Sequence, residues 1–303
     1  MNSRILRIPC RPPASAISAW LSLSKVRVVA LIIFCAIVGM LLAKPTPPAW
    51  SQIVIASIGI ACVAAAAAAL NCLLEQHLDA NMRRTQQRPL PQQQINTQQA
   101  LSFIGIAASL GIAILYLWVN MLTMVLTLLT FFAYSIVYTL LLKPATPQNI
   151  VIGGASGAMP PLLGWVAING CIDAHALLLF AIIFAWTPPH FWALAMYRRH
   201  DYSQIPLPML PITHGIAFTG LQILLYTLIL SAITLLPVAT AMSGRIYLIC
   251  AAILNLIFIS YAYKLWRHYS DAYARATFRY SVIYLTLLFS GLLIDHYVFL
   301  SLT

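Results

Sequence analysis

The sequence predicts an all-α integral membrane protein in which nine transmembrane helices surround a central cavity and the N-terminus is cytoplasmic. Three observations support this fold class: 61% of the 303 residues are hydrophobic, only 8% are charged, and the mean hydropathy is +0.87. Soluble domains have about a quarter charged residues, so this chain has too little polar surface to cover a water-exposed globule. The composition therefore excludes a soluble enzyme, a disordered chain and a coiled coil.

Apolar runs of about 20 residues, the length that crosses a bilayer, recur along the whole chain. We predict nine spans, at residues 24–43, 52–74, 98–118, 120–142, 149–169, 173–197, 215–236, 243–264 and 277–297. Residues 1–23 are then a cytoplasmic N-terminal segment, and residues 24–297 form a single membrane domain. The alanine run 64–69 in the second span predicts close packing against a neighbouring helix, with a tolerated filler as the alternative.

Basic residues outnumber acidic residues by 17 to 6, and their distribution over the loops indicates the orientation. With a cytoplasmic N-terminus, every lysine and arginine except Lys44 and Arg245 lies in a cytoplasmic segment, as the positive-inside rule requires. The charge therefore indicates topology, and we expect no nucleic-acid partner. We expect a multi-pass protein of a bacterial inner membrane with its active site facing the cytoplasm; the alternative is the mitochondrial inner membrane.

Oxygen-bearing side chains gather at the cytoplasmic end of the second span. Asn71, Glu75 and Asp79 follow one another at intervals of four, so one helix face presents all three. Such ligands suit Mg²⁺, which usually binds one or two carboxylates together with substrate phosphates. The next loop contains Arg83, Arg84 and Arg88. Guanidinium groups beside metal ligands predict a diphosphate site, whereas the alternative is a polar helix end followed by a topology-determining loop.

A second polar centre follows the sixth span, in the segment WTPPHFWALAMYRRHDY at residues 186–202. Asp201 is its only acid, and Arg198 and Arg199 are close in sequence. His190 follows a predicted helix break at two prolines and has aromatic neighbours, which suits a flat ligand; a structural histidine is the alternative.

A third cytoplasmic segment, YTLLLKPATPQN at 138–149, contributes Tyr138 and Lys143. For Lys143, a phosphate contact and a mere topology marker are equally good interpretations.

These motifs resemble those of a known family. The pattern N-x-x-x-(D/E)-x-x-x-D followed by an arginine-rich loop is similar to that of the UbiA-type intramembrane prenyltransferases, which are related to 4-hydroxybenzoate polyprenyltransferase. Three further stretches resemble the protohaem IX farnesyltransferase (haem O synthase) branch: YTLLLKPATPQNIVIGGASGAMPPLLGW at 138–165, WTPPHFWALAMYRRHDYSQIPLPMLP at 186–211 and ATFRYSVIYLTLLF at 276–289. The resemblance extends over roughly residues 20–297.

The resemblance implies a transferase that moves a farnesyl group from farnesyl diphosphate to the 2-vinyl group of haem B, with addition of water, giving haem O. It implies a catalytic and Mg²⁺-binding set of Asn71, Glu75, Asp79 and Asp201. The expected substrate-binding set is Arg83, Arg84, Arg88, Lys143, Tyr138, Lys25, Arg27 and His190. Haem A synthase or the terminal-oxidase assembly machinery is the expected protein partner, beside the lipid bilayer.

Three positions depart from the family pattern. Glu75 stands where many bacterial members have Asp, Lys25-Val26-Arg27 stands where Lys-Pro-Arg is usual, and the second acidic motif is reduced to Asp201. Two alternatives stay open. A related prenyltransferase of a phenol or quinone precursor would share the first motif but have a second pair of aspartates. A multi-pass transporter would use intramembrane acids near the midplane.

Overall fold

Long apolar helices account for most of the chain. The computed structural model describes residues 16–81, 85–203 and 207–302, and within these ranges it contains helices and no strand. The helices are α1 (Ala16–Leu23), α2 (Val26–Leu42), α3 (Trp50–Leu74), α4 (Gln76–Ala80), α5 (Thr97–Trp118), α6 (Met121–Phe132), the π-helix π1 (Ala133–Leu142), α7 (Lys143–Ala145), α8 (Asn149–Asn169), α9 (Ala174–Tyr197), α10 (Arg199–Tyr202), α11 (Leu210–Thr213), α12 (Gly215–Ile233), α13 (Leu236–Ala239), α14 (Arg245–Arg267) and α15 (Asp271–Leu302).

The predicted all-α membrane fold with eight or nine spans is confirmed, and the structure adds a helix before the first span. In the described residues, 8 helices are long and apolar enough to cross a membrane, and a ninth span is a pair of helices bent by 54°. That pair is α1 and α2: α2 matches the predicted span at 24–43, and α1 is an additional helix in the segment that was expected only to precede it. The chain bends at Lys25, whose φ of 47° and ψ of 50° are left-handed and cannot continue a right-handed helix. Ala19 and Leu23 of α1 are buried against α3 and α5.

Two other boundaries differ from expectation. The last helix begins at Asp271, six residues before the predicted start at 277, because an acid in the first turn favours a helix N-terminus. Pro188 and Pro189 lie inside the continuous helix α9, so the predicted break before His190 is wrong. Prolines are tolerated in membrane helices where neighbouring helices rather than lipid surround them, and Pro188 and Pro189 are both buried in the bundle.

The alanine run packs closely against a neighbouring helix, as predicted. Ala66 and Ala69 of α3 are fully buried in a cluster that includes Ala100 of α5. Further along the same helix pair, a Cβ on Gly111 would lie only 2.7 Å from the Gly59 carbonyl oxygen. Small residues let the two backbones approach, which is how helices associate where lipid removes the hydrophobic driving force.

Helices α2 and α8 are also in backbone contact. A Cβ on Gly39 would lie 2.0 Å from the Pro161 carbonyl oxygen, and one on Gly164 would lie 1.9 Å from the Ala36 carbonyl oxygen. Gly39 belongs to α2 and Gly164 to α8, so each helix needs a glycine where its backbone approaches the other. The close contact with α8 holds α2, and with it the bend at Lys25, against the centre of the bundle.

Two of the six acids cap helices away from the α3–α4 junction. Asp173 accepts the Ala176 backbone N–H at 3.0 Å at the start of α9 and the Trp165 indole N–H at 2.9 Å. Asp295 of α15 accepts the Tyr247 backbone N–H at 3.1 Å and that of Gly244, at the start of α14. Anionic oxygens at helix N-termini satisfy donors that have no partner in the helix. These two acids therefore stabilise the fold.

We predict that Gly164→Ala destabilises the protein. Because the added methyl group would meet backbone atoms that cannot rotate away, we expect overpacking to cost about 1–3 kcal/mol. Gly105→Ala in α5 is the matched control, since a Cβ there meets nothing within 4 Å. Thermal unfolding of the two purified variants in detergent measures the difference, and equal Tm values would contradict the close approach of α2 and α8.

Candidate active site

Three polar side chains meet at the junction of α3 and α4. Asn71 lies in the last turn of α3, Glu75 in the break between the helices and Asp79 in α4. The expected uninterrupted helix is wrong, because Glu75 has a φ of −95° and a ψ of 7°. The hydrogen-bond register nevertheless continues, since the Glu75 N–H donates to the Asn71 carbonyl at 3.1 Å and the Asp79 N–H to the Glu75 carbonyl at 2.8 Å. The three side chains therefore share one face, as predicted.

Each of these three groups is buried and contacts one cation from a different part of the chain. Their exposed fractions are 3% for Asn71, 7% for Glu75 and 3% for Asp79. The pairs are Lys25 Nζ to Asn71 Oδ1 at 2.7 Å, Lys143 Nζ to Glu75 Oε1 at 2.5 Å and Arg88 Nη1 to Asp79 Oδ2 at 2.5 Å. Both phosphate-binding candidates with described side chains, Lys143 and Arg88, therefore lie at the predicted oxygen ligands.

The balance of charge at this site favours an anion. A buried carboxylate is strongly destabilising without a partner, so the two ion pairs are what allows Glu75 and Asp79 to be buried. Lys25 adds a third positive charge against two negative charges, and its partner Asn71 is neutral. Burial lowers the pKa of Arg88, but its interaction with Asp79 raises that pKa above the ordinary arginine value overall.

A π-helix positions the groups on the far side of this site. The Asn71 amide donates to Thr139 Oγ1 at 3.0 Å, and Thr139 in turn donates to the Tyr134 carbonyl at 2.9 Å. Tyr134 and Tyr138 stack with ring centroids 5.9 Å apart. Sequence reasoning missed Thr139; its only signal is a hydroxyl beside Tyr138. π-helical turns often occur at functional sites, and this one places Thr139 and Lys143 on the same centre.

The arginine loop is fixed to α4 by a buried threonine. Thr85 Oγ1 donates to the Asp79 carbonyl at 3.0 Å, and the Arg88 N–H donates to the Thr85 carbonyl at 2.9 Å. This turn places the Arg88 guanidinium on the Asp79 carboxylate. Arg83 and Arg84, which we also assigned to substrate binding, lie outside the described residues.

The second polar centre is a separate cavity beside the end of α9. It has a volume of about 330 Å³, and its lining residues are Tyr197, Arg198, His200, Asp201 and Arg275. Within the described ranges, no three His, Cys, Asp or Glu side chains form a metal-binding group, so Asp201 does not join the two acids of the first site.

Two predicted ligand residues lie elsewhere. His190 is between α9 and α15, where it stacks on Trp186 at 4.2 Å and its Nδ1 is 2.7 Å from Ser281 Oγ. Because the Ser281 hydroxyl donates to the Phe278 carbonyl, its oxygen accepts from His190 Nδ1, and Nε2 is left unprotonated. Arg27 is exposed on α2 and forms no ion pair within the described part of the chain.

A clamp at the start of α15 holds the segment that contains Asp201. Arg199 donates to Asp271 at 2.7 Å and also to the Tyr269 hydroxyl, and Tyr269 donates to Asp271. Burial and the hydrogen bond to Asp271 raise the pKa of Tyr269 to about 12, so the phenol stays protonated at neutral pH. The pair is partly exposed and contributes less than about 1 kcal/mol, so its main effect is positional.

The fold and the site together define a polytopic membrane protein with a buried, anion-favouring centre at one end of its helices. The model of the UbiA prenyltransferase family matches residues 32–289, and the chain belongs to that family. It is therefore a transferase of the prenyltransferase class, and the resemblance expected from its motifs is confirmed.

Similar proteins support a narrower placement. The chain is 56% identical over 299 residues to a protein of Aromatoleum aromaticum named protoheme IX farnesyltransferase, with 98% of each chain covered. It is 59% identical over 281 residues to a protein of the same name from Azoarcus sp., covering 92% of this chain and 94% of the relative.

Solved structures show the same fold at low sequence identity. A digeranylgeranylglyceryl phosphate synthase matches with a TM-score of 0.80 and 17% identity, over 94% of this chain and 100% of that one. A UbiA homologue from Archaeoglobus fulgidus bound to DMAPP and Mg²⁺ matches with a TM-score of 0.62 and 14% identity, over 90% of this chain and 98% of that one.

Gly153→Ala tests whether the position of Tyr138 matters for activity. A Cβ on Gly153 would lie 2.1 Å from Cδ2 of Tyr138, so the tyrosine ring must leave its present position. We expect prenyl transfer to fall about tenfold or more, as expected when a positioning group is displaced. Gly157→Ala, one turn later on α8, meets nothing within 4 Å and should keep full activity. Equal turnover of the two variants would show that Tyr138 has no positioning role.

Proposed function

We propose that this protein transfers the farnesyl group of farnesyl diphosphate to the 2-vinyl group of haem B, with addition of water, to give haem O and diphosphate. The observation that supports it most is the buried centre with two carboxylates and three cations, which suits a polyanionic leaving group. The names of relatives that are 54–59% identical over most of the chain support the choice of substrates.

The chemistry of the donor set fits a Mg²⁺ ion. Glu75 and Asp79 each use one carboxylate oxygen for their ion pair, so further lone pairs on both groups stay available. A site with two carboxylates and the Asn71 amide suits Mg²⁺ that arrives with phosphate oxygens rather than an all-protein cage. When bound, the metal would stabilise the negative charge of the leaving diphosphate. A contribution of Asp201 to a metal site stays part of the proposal.

The cations of the site would also contact the substrate when it binds. When the carboxylates turn to a metal–diphosphate complex, Lys143 and Arg88 lose their partners and become free to bind phosphate oxygens. Lys25 is already held by a neutral amide and adds positive charge without competing. The site would thus exchange its two internal ion pairs for ion pairs with the substrate, and Lys143 and Arg88 would have a charged partner at both stages.

The proposed reaction begins with heterolysis of the allylic C–O bond, whose electron pair leaves with diphosphate. The alkene of the haem vinyl group attacks the farnesyl cation, and water adds to the resulting carbocation with loss of a proton. The stacked rings of Tyr134 and Tyr138 offer a π-face beside the leaving-group site for the cation. Burial among helices keeps water from trapping the farnesyl cation before the carbon–carbon bond forms.

The orientation in the membrane is part of this proposal. Lys25, Arg88 and Lys143 converge on one end of the bundle. By contrast, Lys44 and Arg245 lie beside His296 and Asp295 of α15, away from that end. This agrees with the charge partition that predicts a cytoplasmic active site in a bacterial inner membrane. The single membrane domain at 24–297 and a haem A synthase or oxidase-assembly partner stay predictions.

Asp79→Asn tests the proposed reaction. Removing one carboxylate should lower haem O formation from haem B and farnesyl diphosphate about a hundredfold, because the leaving group loses its metal. Glu75→Asp, which keeps a carboxylate, should retain much of the activity. The assay is haem extraction and chromatography of membranes from a host without its own haem O synthase. Full activity in a folded Asp79→Asn variant would rule out the metal role.

Lys143→Met tests whether the lysine binds phosphate. Because the ammonium is expected to pair with the diphosphate, we predict that KM for farnesyl diphosphate rises about tenfold while KM for haem B is unchanged. Lys44→Met removes the same charge from an exposed side chain at the other end of the bundle and serves as control. If both variants behave like the wild type, Lys143 is a topology marker only.

A further inference from the structure

Three arginines line two adjoining cavities at the ends of α9 and α15. Arg198 and Arg275 belong to the cavity of about 330 Å³ that also contains Asp201. Arg275 and Arg279 line a second cavity of about 310 Å³ together with two alanines of α15. Arg275 and Arg279 are one helical turn apart, so their side chains lie on the same face of α15. The two cavities share Arg275 and form one basic surface, here called the arginine rim (Arg198, Arg275 and Arg279).

The charges of the arginine rim lack partners in the described part of the protein. None of its arginines forms an ion pair there, whereas the adjacent Arg199 is paired with Asp271. The Nε atom of Arg198 is buried without a hydrogen-bond partner. Asp201 is the one acid that lines these cavities, so three guanidinium groups face a single carboxylate. An unpaired buried guanidinium donor is costly, so this surface favours an anionic ligand.

Aromatic rings continue from the arginine rim into the protein. The guanidinium groups of Arg198 and Arg275 lie over Tyr197, at 5.6 and 5.5 Å from the ring centroid. Tyr197 is 6.0 Å from Phe278, and Phe278 is 4.7 Å from His190. These rings line the contact between α9 and α15. Tyr197 and Phe278 are partly exposed, so the surface combines guanidinium groups with aromatic rings, which suits a planar molecule with acidic groups along one edge.

We propose that Arg198, Arg275 and Arg279 bind the two propionate groups of the tetrapyrrole acceptor. This assignment rests on the proposed function, because haem B has two propionates side by side on one edge of its ring. Its vinyl groups are on the opposite edge, so anchoring the propionates determines which edge points to the farnesyl donor. Guanidinium groups bind carboxylates with two parallel hydrogen bonds, which fixes the ring in register as well as in place.

Helix α8 connects the arginine rim to the donor site. It packs against α9, at whose end the arginine rim lies, and against π1, which contributes Tyr138 and Thr139. A ligand held at the arginine rim by one edge therefore extends its other edge toward the donor site.

Anionic lipid headgroups offer the same chemistry as propionates, so the experiment must separate the two sources. We would titrate the full-length protein with haem B and with haem B dimethyl ester, following the Soret band, in nanodiscs of phosphatidylcholine alone. The wild type should bind haem B about tenfold more tightly than the ester. Arg275→Gln and Arg279→Gln should weaken haem B binding about tenfold and leave ester binding unchanged, and Arg275→Lys should restore part of the difference.

Arg245 is an exposed arginine at the start of α14, so Arg245→Gln is the matched control. This variant should bind haem B and its dimethyl ester like the wild type. Equal binding of haem B and its ester by the wild type would overturn the assignment. The titrations would be repeated in nanodiscs that contain phosphatidylglycerol. If the arginine variants lose haem B binding only there, and still distinguish haem B from its ester as the wild type does, the arginine rim binds lipid and the assignment is overturned.

Turnover distinguishes this inference from the proposed function. If the wild type farnesylates haem B and its dimethyl ester equally well, the reaction stands and the propionate site is wrong. If it binds haem B through the arginines but forms no haem O with farnesyl diphosphate, the propionate site stands and the reaction is wrong. KM for farnesyl diphosphate should be unchanged in the arginine variants, which a general loss of folding would not allow.

Discussion

The burial of two carboxylates at a helix junction is the constraint on which the rest of the structure depends. Glu75 and Asp79 are almost inaccessible to solvent, and neither can be buried as an anion without a cation. Their partners, Lys143 and Arg88, belong to segments that are distant in sequence from each other. The fold must therefore bring the end of π1 and the loop after α4 to the same point, and Lys25 from the bend after α1 completes the group.

Irregular backbone occurs where this centre needs it. Lys25 has a left-handed conformation at the bend between α1 and α2, Glu75 interrupts the helix between α3 and α4, and a π-helix ends just before Lys143. Within a membrane, irregular backbone persists only where protein rather than lipid surrounds it. Each of the three irregularities positions a polar side chain of the site, which agrees with the tendency of strained backbone to cluster at functional centres.

The spacing of the acidic residues and their small number made the position of the site predictable from the sequence. With six acids in the chain, a run of Asn71, Glu75 and Asp79 at intervals of four indicated a site, and helical register explains why their shared face survived the break. Arg88 and Lys143 were assigned to the same site, but their direct pairing with Asp79 and Glu75 was not predictable, because the sequence does not indicate which charged atoms meet. The role of Pro188 was misjudged because helix-breaking strength in water does not transfer to a buried membrane helix.

The excess of positive charge can be interpreted once the position of each acid is known. Asp173 and Asp295 cap helices, Asp271 clamps Arg199, and the remaining acids lie at or beside the two polar centres. Within the described residues, Asp201 is the one acid beside the arginine rim, so a single carboxylate faces three guanidinium groups. A protein that binds a diphosphate and an acidic acceptor side by side must offset the charge of both in one cavity region, or the two substrates would repel each other. Under the proposed function, the excess of arginine and lysine at these two centres does more than set topology, because it permits two anions to be bound together while their apolar parts meet.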